Sequence, residues 1–171
     1  MEGSTGQQNP IRGQEDGRAL RDRIAAAIRS GEDLTSAAFD ALTLAAFRLQ
    51  FAANPLYGQW CRHIGWTADR VARLERASEI PCLPVEAFKW GDVHTAGTEE
   101  GGADPVRFRT SGTTSDTHLR GVHTVRTPDL YRLSARSGFE RVHGPPSADG
   151  AVVLGLLPGY LERSDSSLVR N

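Results

Sequence analysis

Lysine is almost missing from this chain. Of its twenty basic residues only Lys89 is a lysine, and the rest are arginine. Positive charge is not in excess either. The formal net charge is −1, so the chain has neither the surplus by which general nucleic-acid binders track phosphates nor an acidic tail. No aromatic stacking platform is interleaved with the arginines, which weighs against an RNA-reading role. The arginine bias, with abundant Ala and Gly, reads instead as the mark of a GC-rich bacterial genome. Cysteine is scarce: Cys61 and Cys82 fit no CxxC spacing, and two thiols make no disulfide framework. Two reduced, half-buried thiols are expected. Long apolar runs are absent too. The opening stretch "MEGSTGQQNPIRGQEDGR" is polar and has no hydrophobic core of the kind a signal peptide needs. Nothing later approaches the roughly 20 apolar residues of a membrane-crossing helix. The expectation is a soluble, cytoplasmic protein with neither nucleic acid nor membrane as a partner.

What is present suffices for one domain with a core, since 171 residues are too few for two comfortable ones. Residues 1–16 are rich in Gly, Gln and Ser and are expected to be disordered, because they offer nothing apolar to bury. From Arg18 the pattern turns helical. "RALRDRIAAAIRS" places Leu20, Ile24, Ala27 and Ile28 on one stripe and stops at Gly31. A second helix sets Phe39, Leu42, Ala46, Leu49 and Ala53 at three- and four-residue steps until Asn54-Pro55 ends it. A shorter piece carries Tyr57, Trp60 and Ile64. "TADRVARLERASE" then has an N-cap in Thr67 and a seam of Val71 and Leu74. Residues 17–79 thus read as a helical lead-in.

The character changes at Ile80, where "IPCLPVEAFKWGDV" brings two prolines into a connector. "TEEGGADP" reads as a hairpin tip. "VRFR" and, further on, "LRGVHTVR" alternate apolar and polar residues like short strands. Thr127, Pro128 and Asp129 announce a helix whose apolar face would be Tyr131, Ala135, Phe139 and Val142. "GAVVLGLLPGY" has the continuous apolar character of a strand buried on both faces. Strand, loop, strand, helix and buried strand predict a mixed α/β domain over residues 80–171. A two-sided strand needs neighbours, and the polar residues after Gly159 supply none, so the expectation is the front part of a larger fold.

Between the two strand-like segments lies "FRTSGTTSD". Gly112 permits a close approach of backbone to ligand, and the surrounding hydroxyls can donate beside exposed amides, as an anion cradle requires. The same residues also suit a hairpin connection whose hydroxyls satisfy local backbone groups. It is neither a Walker A loop nor GxGxxG, and local chemistry leaves both readings open.

"RTSGTTS" resembles the phosphate loop of adenylate-forming enzymes. With "IPCLPVEAFKWGDV", "RGVHTVRTPDLYRLSARSGFERVHG" and "VVLGLLPGYLERSDSSLV" in the same order, residues 80–169 resemble LuxE-like acyl-protein synthetases. These are similar to the fatty-acid-activating component of the bacterial bioluminescence reductase. The resemblance implies the start of an adenylate-forming N-terminal domain and a ligase that uses ATP and Mg²⁺. Such an enzyme activates a fatty acid or other carboxylate as an acyl-adenylate and passes it to a thiol of a reductase-type partner protein. Carried over by position, Thr110, Ser111, Gly112, Thr113 and Thr114 would contact the ATP phosphates, and His123 on the following strand would approach them. Ser115 stands where the family usually has glycine, and Asp116 follows it. The ribose-binding acid, the catalytic lysine and the acyl-accepting cysteine of such enzymes lie beyond the matched blocks, and neither Lys89 nor either cysteine corresponds to them. The chain is therefore expected to be truncated and unable to catalyse alone, with its catalytic residues unassigned. A non-catalytic remnant that binds a nucleotide or a partner, and a fragment similar to acyl-CoA or aryl-CoA ligases, remain alternative readings. His94, His118 and His123 have no metal-ligand spacing, so no metal site is expected from protein ligands. Arg120, Tyr160, Glu162 and Arg163 are further polar residues near the two strand ends where a site could form.

Overall fold

A computed structural model describes residues 10–91, 93–95, 105–109 and 121–145, with side chains from residue 17 onward. Six helices, one 3₁₀ turn and two strands make up this part. They are α1 (Pro10–Ser30), α2 (Ser36–Ala53), α3 (Pro55–His63), α4 (Ala68–Arg73), the turn Ala77–Glu79, α5 (Ala87–Trp90), β1 (Val106–Arg109), β2 (Val122–Val125) and α6 (Pro128–His143). The described residues are thus helix-rich with a small antiparallel sheet, which meets the mixed α/β expectation in its coarse form. The two-sided strand expected in "GAVVLGLLPGY" lies outside the described residues. Among those described, no helix is long and apolar enough to cross a membrane.

Backbone helix begins at Pro10, inside the segment expected to be disordered, because a proline's fixed φ suits a first helical position and propagation is cheap once a helix is nucleated. At the other end Gly31 takes φ +65°, a left-handed conformation that costs glycine nothing and turns the chain towards α2. The Thr35 hydroxyl caps α2 by accepting from Ala38 N at 3.2 Å. Asn54 then serves two helices at once. Its N–H donates to Gln50 O at 2.8 Å to close α2, while its Oδ1 accepts from Tyr57 N at 3.1 Å to open α3. Thr67 caps α4 by accepting from Arg70 N at 3.3 Å, as its position in the sequence suggests.

The core gathers between α2, α3 and α4. Leu44, Phe47, Tyr57, Cys61, Trp66, Val71 and Leu74 form one buried cluster. Phe47 is its hub: its ring lies 5.6 Å from Trp66 at 84° and 6.0 Å from Tyr57 at 74°, the edge-to-face arrangement that aromatic quadrupoles favour. This differs from the expected α2 stripe. Phe39 is 53% exposed whereas Phe47 is 3% exposed. Helix α2 is apolar on nearly every side, so its own periodicity does not choose a face, and the aromatic rings of α3 and Trp66 do. In α3 it is Cys61, not Ile64, that joins Tyr57 inside. Gly58 is required by close approach, because a Cβ there would stand 2.4 Å from Phe51 O.

Polar bonds fix the connector to this core. Arg48 donates to Leu74 O at 3.0 Å and Ala72 O at 3.2 Å, and Asp40 Oδ1 accepts from Ala77 N at 2.8 Å. Tyr57 donates its hydroxyl to Pro81 O at 2.6 Å, with Ile80 and Leu83 packed beside it. The proline connector therefore leaves the helices from a fixed point.

Helix α1 packs against both α2 and α6. Ser134 and Gly138 of α6 are exposed, and a Cβ at Gly138 would meet nothing within 4 Å. Phe139 and Val142, expected on the buried face, are 45% and 75% exposed. Thr127 occupies the N-cap position ahead of Pro128, but its side chain makes no capping hydrogen bond.

Candidate functional site

The two strands form a hairpin around the glycine-hydroxyl loop. Val106 pairs with Val125, Arg107 with Thr124, Phe108 with His123 and Arg109 with Val122. Alternation buries Val106 and Phe108 and exposes Arg107 and Arg109, since successive side chains point to opposite faces. Residues 110–121 join the last ladder pair. Of the site residues expected from sequence, Thr110, Ser111, Gly112, Thr113 and Thr114 lie outside the described residues, as do His118, Arg120, Tyr160, Glu162 and Arg163.

His123 is described. It is half-buried, and its ring stacks on Phe88 at 4.1 Å with 23° between planes. Its cross-strand partner Phe108 lies 5.7 Å from Tyr131 of α6. Each stem of the hairpin is therefore held near the loop by an aromatic contact to a different helix. Two exposed guanidiniums, Arg107 and Arg109, lead into the loop from the β1 side.

A second concavity of about 470 Å³ opens beside β2. Leu20 and Ile24 of α1, Leu49 of α2 and Phe88 give it apolar walls, while Arg21 and Arg126 border it. Phe88 thus belongs both to this cleft and to the stack that holds His123. Sequence reasoning missed the cleft. Arg21 lies off the Leu20, Ile24, Ala27 and Ile28 stripe of α1, and no motif links it to Arg126 far along the chain. His94 also borders the cleft, and Lys89 is exposed on α5.

The thiols differ sharply. Cys61 is fully buried and Cys82 exposed, and both are free. Burial pushes the Cys61 thiol above its ordinary range, against smaller downward pulls from the Tyr57 hydroxyl and Arg62. The Tyr57 hydroxyl is also raised, chiefly by burial. Buried and with its thiol raised, Cys61 lacks the accessible setting of an activated nucleophile. Among the described residues, no three His, Cys, Asp or Glu side chains gather where they could hold a metal ion.

No protein-family model matches the chain, and neither a curated protein nor a solved structure matches it.

Proposed function

We propose that this chain supplies the ATP phosphate loop, residues 110–114, of a cytoplasmic, adenylate-forming acyl-activating ligase of the acyl-protein synthetase type, whose other catalytic residues it does not itself carry. The observation that carries the reading is the antiparallel hairpin, whose last ladder pair, Arg109 with Val122, brackets the loop. A phosphate loop must present its amides and hydroxyls from a stem that does not reorganise as charge moves onto the leaving pyrophosphate. The stem is held on both strands, by Phe108 against Tyr131 and by His123 against Phe88.

ATP fits the chemistry around the loop. Arg107 and Arg109, exposed on the strand that enters it, bring positive charge to where a triphosphate would lie, and no acidic residue is on either described strand. Thr110, Ser111, Gly112, Thr113 and Thr114 would hold the β- and γ-phosphates, and Mg²⁺ would enter with them. ATP when bound supplies the group that activates a fatty acid or similar carboxylate for transfer to a thiol, carried in this reading by a partner protein.

The test is fatty-acid-dependent exchange of labelled pyrophosphate into ATP, measured with residues 1–171 carried in a protein that also supplies a ribose-binding acid and a catalytic lysine. Ser111→Ala or Thr113→Ala is expected to lower that exchange by about a hundredfold, the effect of losing one preorganised donor to developing charge. Full activity in both variants would remove the loop from the mechanism. MgATP binding without exchange would instead favour a nucleotide-binding module.

A further inference from the structure

The cleft beside β2 draws its lining from α1, α2, α5 and α6 as well as from the strand. At about 470 Å³ it falls within the roughly 300–1,000 Å³ of small-molecule sites. Leu20, Ile24, Ala46, Leu49, Phe88 and Leu130 turn apolar surface to it. Its uncharged polar groups include the Gln50 amide and the Thr127 hydroxyl, which is not spent on capping α6. No aspartate or glutamate is among the described residues that line it, so a cation would meet Arg21 and Arg126 and no carboxylate. An anion gains little more. Arg126 already has an interaction of its own. Arg21 also borders the adjoining depression, which shares Thr127 and Leu130 with the cleft and holds Asp22 and Asp129. The positive charge of this wall is thus answered by neighbours, and a charge brought against apolar surface without its own partner is costly.

We infer that this cleft binds a compact, neutral, largely apolar molecule that carries at most one hydrogen-bonding group. An apolar cavity of roughly 150 Å³ takes benzene, so the larger space here accommodates fused rings. The ligand lies against Leu20, Ile24, Ala46 and Leu49, with Phe88 beside it. Phe88 is also the ring that stacks on His123 at 4.1 Å, so the imidazole on β2 reports whether the cleft is filled. The inference does not rest on the phosphate-loop reading.

Indole is the probe, titrated calorimetrically into the full chain, with an indole carboxylate and tryptamine as anionic and cationic comparators. It is expected to saturate and to bind at least about fivefold more tightly than either, since each brings a charge that the cleft leaves unpaired. The imidazole proton signal of His123, assigned with His123→Gln, should shift along the same saturation curve. That of His143, which lies against Phe139 at the far end of α6, should stay in place. Ala46→Leu puts a larger side chain into the cleft and is expected to weaken indole by about tenfold through overpacking. Helices accept leucine well, and a thermal midpoint at or above the parent's will confirm that the variant is folded. Should the midpoint fall, the His123 signal of the parent decides. The inference is overturned if indole does not saturate, if either charged comparator binds as tightly, or if the His123 signal does not move. A folded Ala46→Leu that binds like the parent also overturns it, as does displacement of indole by MgATP, which would move the ligand to the loop.

Discussion

Replacing Asn54 by alanine tests how the helical core is assembled. The residue is 4% exposed and sits where one helix stops and the next begins. Alanine keeps the backbone bond from residue 54 to Gln50 O but removes the oxygen that accepts from Tyr57 N at 3.1 Å. An N-cap deletion costs about 0.5–2 kcal/mol, and a buried N–H left without a partner costs about 1–3 kcal/mol. These describe one lost bond from two sides and are not summed; the site is buried, so the upper part of the first range applies. The expectation is a loss of about 2 kcal/mol in urea-induced unfolding followed by far-UV circular dichroism. For a chain of this length that lowers the thermal midpoint by about 4–8 °C. Asn54→Ser keeps a capping oxygen and should recover most of the loss. An alanine variant within about 0.5 kcal/mol of the parent, or a serine variant no better than alanine, would show that the shared cap does not hold the junction.

Phe47→Ala removes the hub of the aromatic cluster and should cost about 3–5 kcal/mol in the same unfolding measurement, whereas Phe39→Ala on the exposed face should stay within about 0.5 kcal/mol. A thiol reagent should modify Cys82 quickly in the native protein and Cys61 only after unfolding; equal rates would contradict the buried position of Cys61. Burial keeps the Cys61 thiol protonated in the folded chain, so its contribution is fully present below the unfolded thiol value of about 8.5 and is lost as pH rises above it. Stability should therefore fall as pH rises above about 8.5, and Cys61→Ala should flatten that part of the profile.

The local signals in the sequence proved readable where one interaction decides the outcome. Thr67, Asn54-Pro55 and Gly31 mark helix ends because a cap or a left-handed glycine acts within a few residues. "VRFR" and "VHTV" gave their strand positions through period-two alternation, and the register followed from pairing them across the loop. Which face of α2 turns inward was not readable, because Phe39, Leu42, Leu44, Phe47 and Phe51 offer rival stripes, and the choice was made by Tyr57 and Trp66 from other segments. The same reason applies to α6. Its larger apolar residues, Phe139 and Val142, are 45% and 75% exposed, since helical spacing alone does not say which stripe meets α1. The glycine-hydroxyl motif was visible from residue types alone, while the cleft was not, since its lining comes from segments as distant as α1 and residues 124–127.

The pinned hairpin bears on what a loop ligand must spend to be held. Bringing the two ends of a flexible segment together costs chain entropy that grows with the logarithm of its length. In this protein the ends of residues 110–121 are joined by the Arg109–Val122 pair, and that closure is completed during folding, with the Phe88–His123 stack and the tilted Phe108–Tyr131 contact as its fasteners. In the proposed reading, a ligand held by residues 110–114 would be spared the cost of that closure. Phe88 of α5 and Tyr131 of α6, which hold the stem, would then influence how tightly such a ligand binds.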